Sequence, residues 1–443
     1  MKENILVMQM NRTNLSFSKW LPVIFLLFVW YVPRNTAPGG FLEKYIILRW
    51  STYFIIPLII LLFVGIKLRY TSKIRFTYLI FPILSLLFII LFSGWINGSS
   101  LLNIAFAILT YLRYPLLFIV LLNINLDEYD LKLFLKAFFF LLIIQIPETF
   151  YRYFALGIKC DHISWTMGPW GHSALGIYMI YATALLVSRS LIIKMKLSYL
   201  VLILCFFSIA LFGEIKAFTF LTPLVAGFTI CICLLKGITR KKLYVAAAIL
   251  ICLLAGFVLD ISLYEKVFPK SGGLKQIRTA LYLEKQGEQE KKRKISRISG
   301  FIDVLSQPEI KLSEYLFGWG PGSSLAGNYV AERGKIFDMP ITHKNQLSET
   351  FVDVGFLGML AYYWFLFCLL IQFQRHLKLE KDETYIFLNR ALLGIWLFYV
   401  FLGPVYGLVW RQDYSQYIFF FLSAILYKRY YQIIDLKGES SIN

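Results

Sequence analysis

His343-Lys344-Asn345 and the carboxylates Glu349 and Asp353 crowd into one polar stretch of the chain. A neutral imidazole takes a proton from an attacking hydroxyl near physiological pH, and no other side chain does so without a perturbed pKa. Glu349 and Asp353 are four residues apart, so on a helix they share a face, and either could orient His343 or be the base itself. Asp353 lies deeper in the apolar run that follows and reads equally well as a staple between helices. Upstream, Gly318-Trp319-Gly320-Pro321-Gly322 forms a turn whose backbone can take positive φ and let a ligand approach closely. The bland alternative makes His343 a surface residue near a helix N-terminus, capped by Thr342 or Asn345.

A departing phosphate needs cations, because a guanidinium grips it in two places and a lysine supplies a point charge. Lys216, Arg293, Arg297, Lys344 and Arg411 can all reach one face of the molecule, with Asn345 as a hydrogen-bonding neighbour. For Arg293, solvation or headgroup contact is an equally good reading. No Asp-x-Asp pair or His/Cys cluster with metal spacing stands on that side, so metal-independent chemistry without a cofactor is expected. Other ionisable groups interrupt apolar runs. Glu148 and Arg152 are four apart and can neutralise each other. Glu214 and Lys216 are two apart, cannot face each other on a helix, and each needs another partner or a wet cavity. Arg49 and Arg113 read as interhelical staples, Arg113 next to a kink at Pro115.

The elements that must position these groups are membrane helices. The 443 residues are 58% hydrophobic and 16% charged, more apolar surface than a soluble domain can bury. About twelve spanning runs follow from hydropathy. They lie near 20–41, 45–66, 76–96, 101–122, 132–150, 173–189, 197–213, 217–235, 243–261, 350–373, 388–409 and 414–427. The formal charge of +19 is read as loop lysines and arginines that fix orientation, and no nucleic-acid partner is expected. Basic loops at 67–75, 189–196, 236–242 and 375–381, with the tail, fall on one side, the cytoplasm, which places both termini there. The loop at Asp127, Glu128 and Asp130 is an acidic exception.

This plan divides the chain into an N-terminal transmembrane region (1–261, about nine helices), an outer loop (262–349) and a C-terminal region (350–443, about three helices and a short tail). Within the loop, Leu274, Ile277 and Leu281, then Ile295, Ile298, Ile302 and Leu305, follow helical spacing and predict two amphipathic helices lying over the membrane. The six cysteines show no disulfide framework: five lie in apolar runs and Cys160 stands in a loop.

The G-x-G-x-G turn, the spacer, H-x-N, and Asp353-Val354-Gly355-Phe356-Leu357-Gly358 together resemble the O-antigen ligase and O-antigen (Wzy-type) polymerase superfamily. The resemblance implies an all-α polytopic membrane protein of the bacterial inner membrane, with a large, partly helical periplasmic loop before the tenth helix. It implies glycosyl transfer on the periplasmic face from an undecaprenyl-diphosphate-linked glycan donor to a glycan acceptor. Membrane lipids and a chain-length regulator would be the partners. In the ligase branch a histidine in an H-x-H-N-like stretch acts with arginines near the diphosphate. Here Lys344 and Asn345 follow His343, and Glu214-Ile215-Lys216 stands where that branch carries Ser-Arg after the seventh helix, which favours polymerase over ligase. A polysaccharide transporter or flippase would be polytopic too, but should show internal repeats and broken helices in matching halves. A membrane scaffold would need neither the glycine turn nor the His/Asn/Glu cluster.

Overall fold

The computed structural model describes residues 20, 22–31, 78–123, 126–158, 167, 172–235, 237–267, 299–305, 310–323, 346–406 and 415–440. They form an all-α bundle: α1 (Pro22–Tyr31), α2 (Ile80–Ile96), α3 (Leu101–Asn123), α4 (Glu128–Phe154), α5 (His172–Ile192), α6 (Leu197–Phe212), α7 (Lys216–Leu234) and α8 (Arg240–Val267). After these come two short helices, α9 (Ser299–Leu305) and α10 (Leu312–Phe317). The long α11 (Gln346–Leu379) follows, then α12 (Glu383–Leu397), which continues through a π-helical turn at Phe398–Leu402 into Gly403–Tyr406, and α13 (Ser415–Ser440). Among the described residues, seven helices are long and apolar enough to cross a membrane: α3, α4, α5, α7, α8, α11 and the extended α12. The expected run 45–66 lies outside the described residues, as do 268–298 of the outer loop.

Burial tells which helices are central. The apolar window of α5 is 89% buried, and the helix packs between α7 and α12. Those of α4 and α8 are only 28% and 33% buried, so their outward residues, such as Phe140, Ile251 and Val258, present an apolar rim. A bilayer tolerates that rim because lipid tails are as apolar as the side chains. Aromatic contacts tie the centre together: Trp30 stacks on Tyr178, and Phe118 meets Phe365, Phe420 and Tyr427 edge-on.

Helix ends explain several charged residues. The acidic Asp127–Asp130 loop is a capping box: Asp127 Oδ1 accepts from Asp130 N at 2.9 Å and Asp130 Oδ2 accepts from Asp127 N at 3.0 Å. Those carboxylates satisfy orphan amides at the start of α4. Glu148 and Arg152 form the expected pair at 3.6 Å. Arg113 sits in α3, which runs through Pro115; its guanidinium donates to the Tyr114 hydroxyl at 2.7 Å and lies over the Tyr114 and Tyr417 rings. At the far end of α11, His376 faces Glu380 at 3.2 Å and Asn389 at 2.8 Å, and Arg429 of α13 reaches Glu380 at 3.0 Å.

One expectation needs correction. Glu214 and Lys216 do face each other, Nζ to Oε1 at 3.2 Å, because the corner between α6 and α7 is not helical. Glu214 takes a left-handed φ of 53°, which turns its side chain back over Lys216. In α9, Val304 and the partly buried Phe301 pack towards Phe351 and Val352, and Ile302 and Leu305 point outward, the side that an apolar stripe lying over a membrane would take. The helix therefore carries two apolar stripes, one towards the aromatic cluster and one outward.

Candidate functional site

The Gly-rich turn and the Asp353–Gly358 stretch form one structural unit. Helix α11 breaks at Gly355, whose φ of 68° and ψ of −169° lie outside helical space. The turn wedges into that break. Trp319 N donates to Val352 O at 2.8 Å, and a Cβ on Gly318 would meet Val352 O at 2.6 Å and Gly355 N at 2.7 Å. A Cβ on Gly355 would meet Leu316 C and O at 2.4 Å. Backbone lies on backbone at both positions, so both must be glycine. The close approach that the turn allows is therefore to the helix.

Three polar side chains of the α2 end and α3 hold the unit. Ser93 Oγ donates to Phe317 O and, at 3.3 Å, to Asp353 O. Asn97 Nδ2 donates to Gly318 O at 3.1 Å. Tyr111 OH donates to Asp353 Oδ2 at 3.1 Å, in full burial. The Ser93–Asp353 and Trp319–Val352 bonds take up carbonyls of α11 beside the break, and the bonds to Phe317 O and Gly318 O satisfy the end of α10 and the turn, as irregular backbone at membrane depth requires. Around Phe351 the rings of Phe301, Tyr315 and Trp319 pack at 5.4–6.2 Å between centroids and pin α9, α10 and the turn to α11.

The segment of α11 before the break is thus a short independent helix. It carries Gln346, Ser348, Glu349, Thr350 and Asp353, all buried. Gln346 Nε2 donates to Thr350 Oγ1 at 2.8 Å. Glu349 lies in the first turn, where the helix dipole favours a carboxylate. Asp353 acts through Tyr111 as the staple between α11 and α3, one of its two expected roles.

Of the other residues singled out from sequence, Lys216 is described and occupies a different neighbourhood. It pairs with Glu214 and lies 5.5 Å from the Tyr264 ring of α8. His343, Lys344, Asn345, Arg293, Arg297 and Arg411 lie outside the described residues. Sequence reasoning passed over Tyr111, Ser93 and Asn97, which hold the unit, and Asp260, Thr219 and Tyr264, which surround the Lys216 corner. Asp260 had a signal: a lone carboxyl inside the apolar run 243–261. Ser93, Asn97 and Tyr111 had none, because small polar residues and tyrosines are ordinary at helix ends and interfaces.

No protein-family model matches the chain, and no curated protein matches it either. The chain is a multi-pass, all-α membrane protein whose glycine turn is locked into a broken helix.

Proposed function

We propose that this protein transfers glycan on the outer face of the bacterial inner membrane, from an undecaprenyl-diphosphate-linked oligosaccharide, and polymerises O-antigen or exopolysaccharide repeats. One observation carries the reading: the G-x-G-x-G turn and the D-x-G stretch, separate in sequence, meet backbone to backbone, just after Glu349 and Asp353. A motif whose two halves interlock supports a single positioned site better than two unrelated turns would. In the sequence His343 stands three residues before Gln346, the first residue of that short helix.

In this scheme the acceptor hydroxyl attacks the anomeric carbon, its proton passes to His343 or to Glu349, and the diphosphate leaves as an anion. Lys344, Arg411, Arg293 and Arg297, with Asn345, supply cations and hydrogen bonds to that anion. Lys216 joins them only by exchanging Glu214 for phosphate. Transfer to lipid A core, the ligase reaction, uses the same donor chemistry with a different acceptor.

The break at Gly355 also fits a transporter, since discontinuous helices line many transport pathways. The glycan profile of a deletion strain separates all three readings. Single repeats attached without long chains mark a polymerase, and loss of all attached repeats marks a ligase. Accumulation of the lipid-linked repeat on the cytoplasmic face marks a transporter and contradicts the proposal.

A further inference from the structure

A buried guanidinium stands at the end of the bundle where α5 and α7 finish and α8 begins. Arg390 lies two turns inside α12 and is 5% exposed. Its Nη1 donates to a single carbonyl, Cys233 O at 2.9 Å, and its Nε has no acceptor. That carbonyl belongs to the last turn of α7, so the guanidinium sits level with a helix end rather than with the middle of a span. Side-chain contacts fix the place. Ser188 Oγ of α5 donates to Phe387 O of α12 at 2.7 Å, and Cys233 Sγ of α7 donates to Ser188 Oγ at 3.7 Å. Three helices are thus knotted together within a turn of Arg390.

Two more cations border the knot. Arg189, next to Ser188, is exposed, and its guanidinium carbon lies 5.8 Å from the centre of the Phe387 ring. Lys242, in the first turn of α8, is near enough to Cys233 for its charge to act there together with that of Arg390. Among the described residues no carboxylate pairs with any of the three. The acids at this end are engaged elsewhere: Glu380 is held by Arg429, and Asp382 accepts from Thr384 N at 2.7 Å. One carbonyl serves one of the five donors that a guanidinium carries, and a buried charge needs more than that. The C-termini of α5 and α7 offset about one unit of charge between them, against three cations. An anion completes the corner, and the surroundings decide its kind. Leu235 (83% exposed) and Ile238 (68% exposed) stand in the loop between Cys233 and Lys242, so apolar side chains and cations share one place at the ends of membrane helices. A soluble phosphate would meet only the cations. A phospholipid meets both, and a head without an ammonium brings no cation of its own.

We propose that this corner binds the phosphate of one anionic phospholipid, gripped by Arg390 with Arg189 and Lys242 as flanking cations. The lipid neutralises the buried guanidinium and strengthens the junction of α5, α7 and α12. The site is independent of the glycan reading, since none of its residues belongs to the glycine turn, α9, α10 or α11.

The test uses the intact protein in phosphatidylcholine nanodiscs with increasing fractions of phosphatidylglycerol, melted by intrinsic fluorescence at fixed ionic strength. The expected midpoint rises with phosphatidylglycerol and saturates. Arg390→Gln, which keeps a donor for Cys233 O, should weaken half-saturation by at least ~10-fold, and Arg189→Gln and Lys242→Gln by roughly 5-fold each. Lys378→Gln removes an exposed charge from α11, outside the knot, and should leave half-saturation unchanged. A midpoint that does not respond to phosphatidylglycerol, or that rises without saturating, overturns the proposal. Equal weakening by Lys378→Gln and Arg189→Gln also overturns it, because the lipid then answers general surface charge. An equal rise with glycerol phosphate in pure phosphatidylcholine nanodiscs overturns it too, because the anion is then soluble. If Arg390→Gln fails to insert, the contrast of Arg189→Gln and Lys242→Gln with Lys378→Gln decides by the same criteria.

Discussion

Replacing Gly355 by alanine should break the unit that joins turn and helix. The backbone there (φ 68°, ψ −169°) is one that only glycine adopts readily, so a side chain costs about 1–3 kcal/mol in strain. The new Cβ would also lie 2.4 Å from Leu316 C and O and 2.5 Å from Gly318 N, all of them backbone atoms that cannot swing aside. Such overpacking adds about 1–3 kcal/mol. Pushing the turn away loses the Trp319–Val352 hydrogen bond, a further ~1 kcal/mol. The sum is about 3–7 kcal/mol against the docked turn. That is enough to release the turn while leaving the rest of the bundle in place. The assay is limited proteolysis in detergent across the 310–323 segment, together with thermal melting and glycan length in cells. Gly227→Ala is the control: nothing lies within 4 Å of its added Cβ, and a helix interior prefers alanine by about 1 kcal/mol. Gly355→Ala that melts and resists protease like the Gly227 variant would refute the interlock.

The same unit has a second handle. Tyr111→Phe removes the donor to Asp353 and should cost about 1–3 kcal/mol, with Asp353→Asn at least as severe and the two non-additive in a double-mutant cycle. At the opposite end, Glu380 is subject to burial, which works to raise its pKa, but Arg429 and the backbone N–H of Asp382 outweigh it and hold the carboxyl below its ordinary value of 4.5. A depressed carboxylate stabilises the fold above its unfolded pKa and loses that contribution as pH falls through the folded one. Melting midpoints should therefore drop as pH is lowered below about 4.5, and Glu380→Gln should be less stable at neutral pH and flatter over that acid range. Reporter fusions after Arg240 and after Glu288 should report opposite sides of the membrane, and both in the cytoplasm would remove the proposed face.

The helical plan was legible because hydropathy needs only composition along the chain. Runs near 101–122, 197–213 and 217–235 fall on α3, α6 and α7 to within a few residues. The ends of α4 and α11 were not, since the expected 132–150 and 350–373 became Glu128–Phe154 and Gln346–Leu379. The extra first turns are largely polar, and they rest on capping by Asp127 and lie beside the aromatic packing around Phe351. The Gly318 and Gly355 stretches were visible as a pattern, but their meaning was not. Spacing shows that a backbone can be approached, and only the fold shows that the approaching object is another stretch of backbone. Glu214 and Lys216 misled for a related reason. The rule that residues two apart diverge holds on a helix, and a single left-handed residue cancels it. The Tyr111–Asp353 and Thr219–Asp260 pairs join helices far apart in sequence, which no local period encodes.

The central claim is that the polar segment entering α11 performs glycosyl transfer with His343 as its base. The most direct measurement is the glycan ladder of cells that carry His343→Ala, with membrane levels of the protein checked alongside. A positioned base contributes about 10²–10⁴-fold in rate. The account predicts loss of detectable polymer at unchanged protein level, with Glu349→Gln milder if Glu349 only orients the imidazole. A His343→Ala strain that makes polymer of normal length and amount would contradict it.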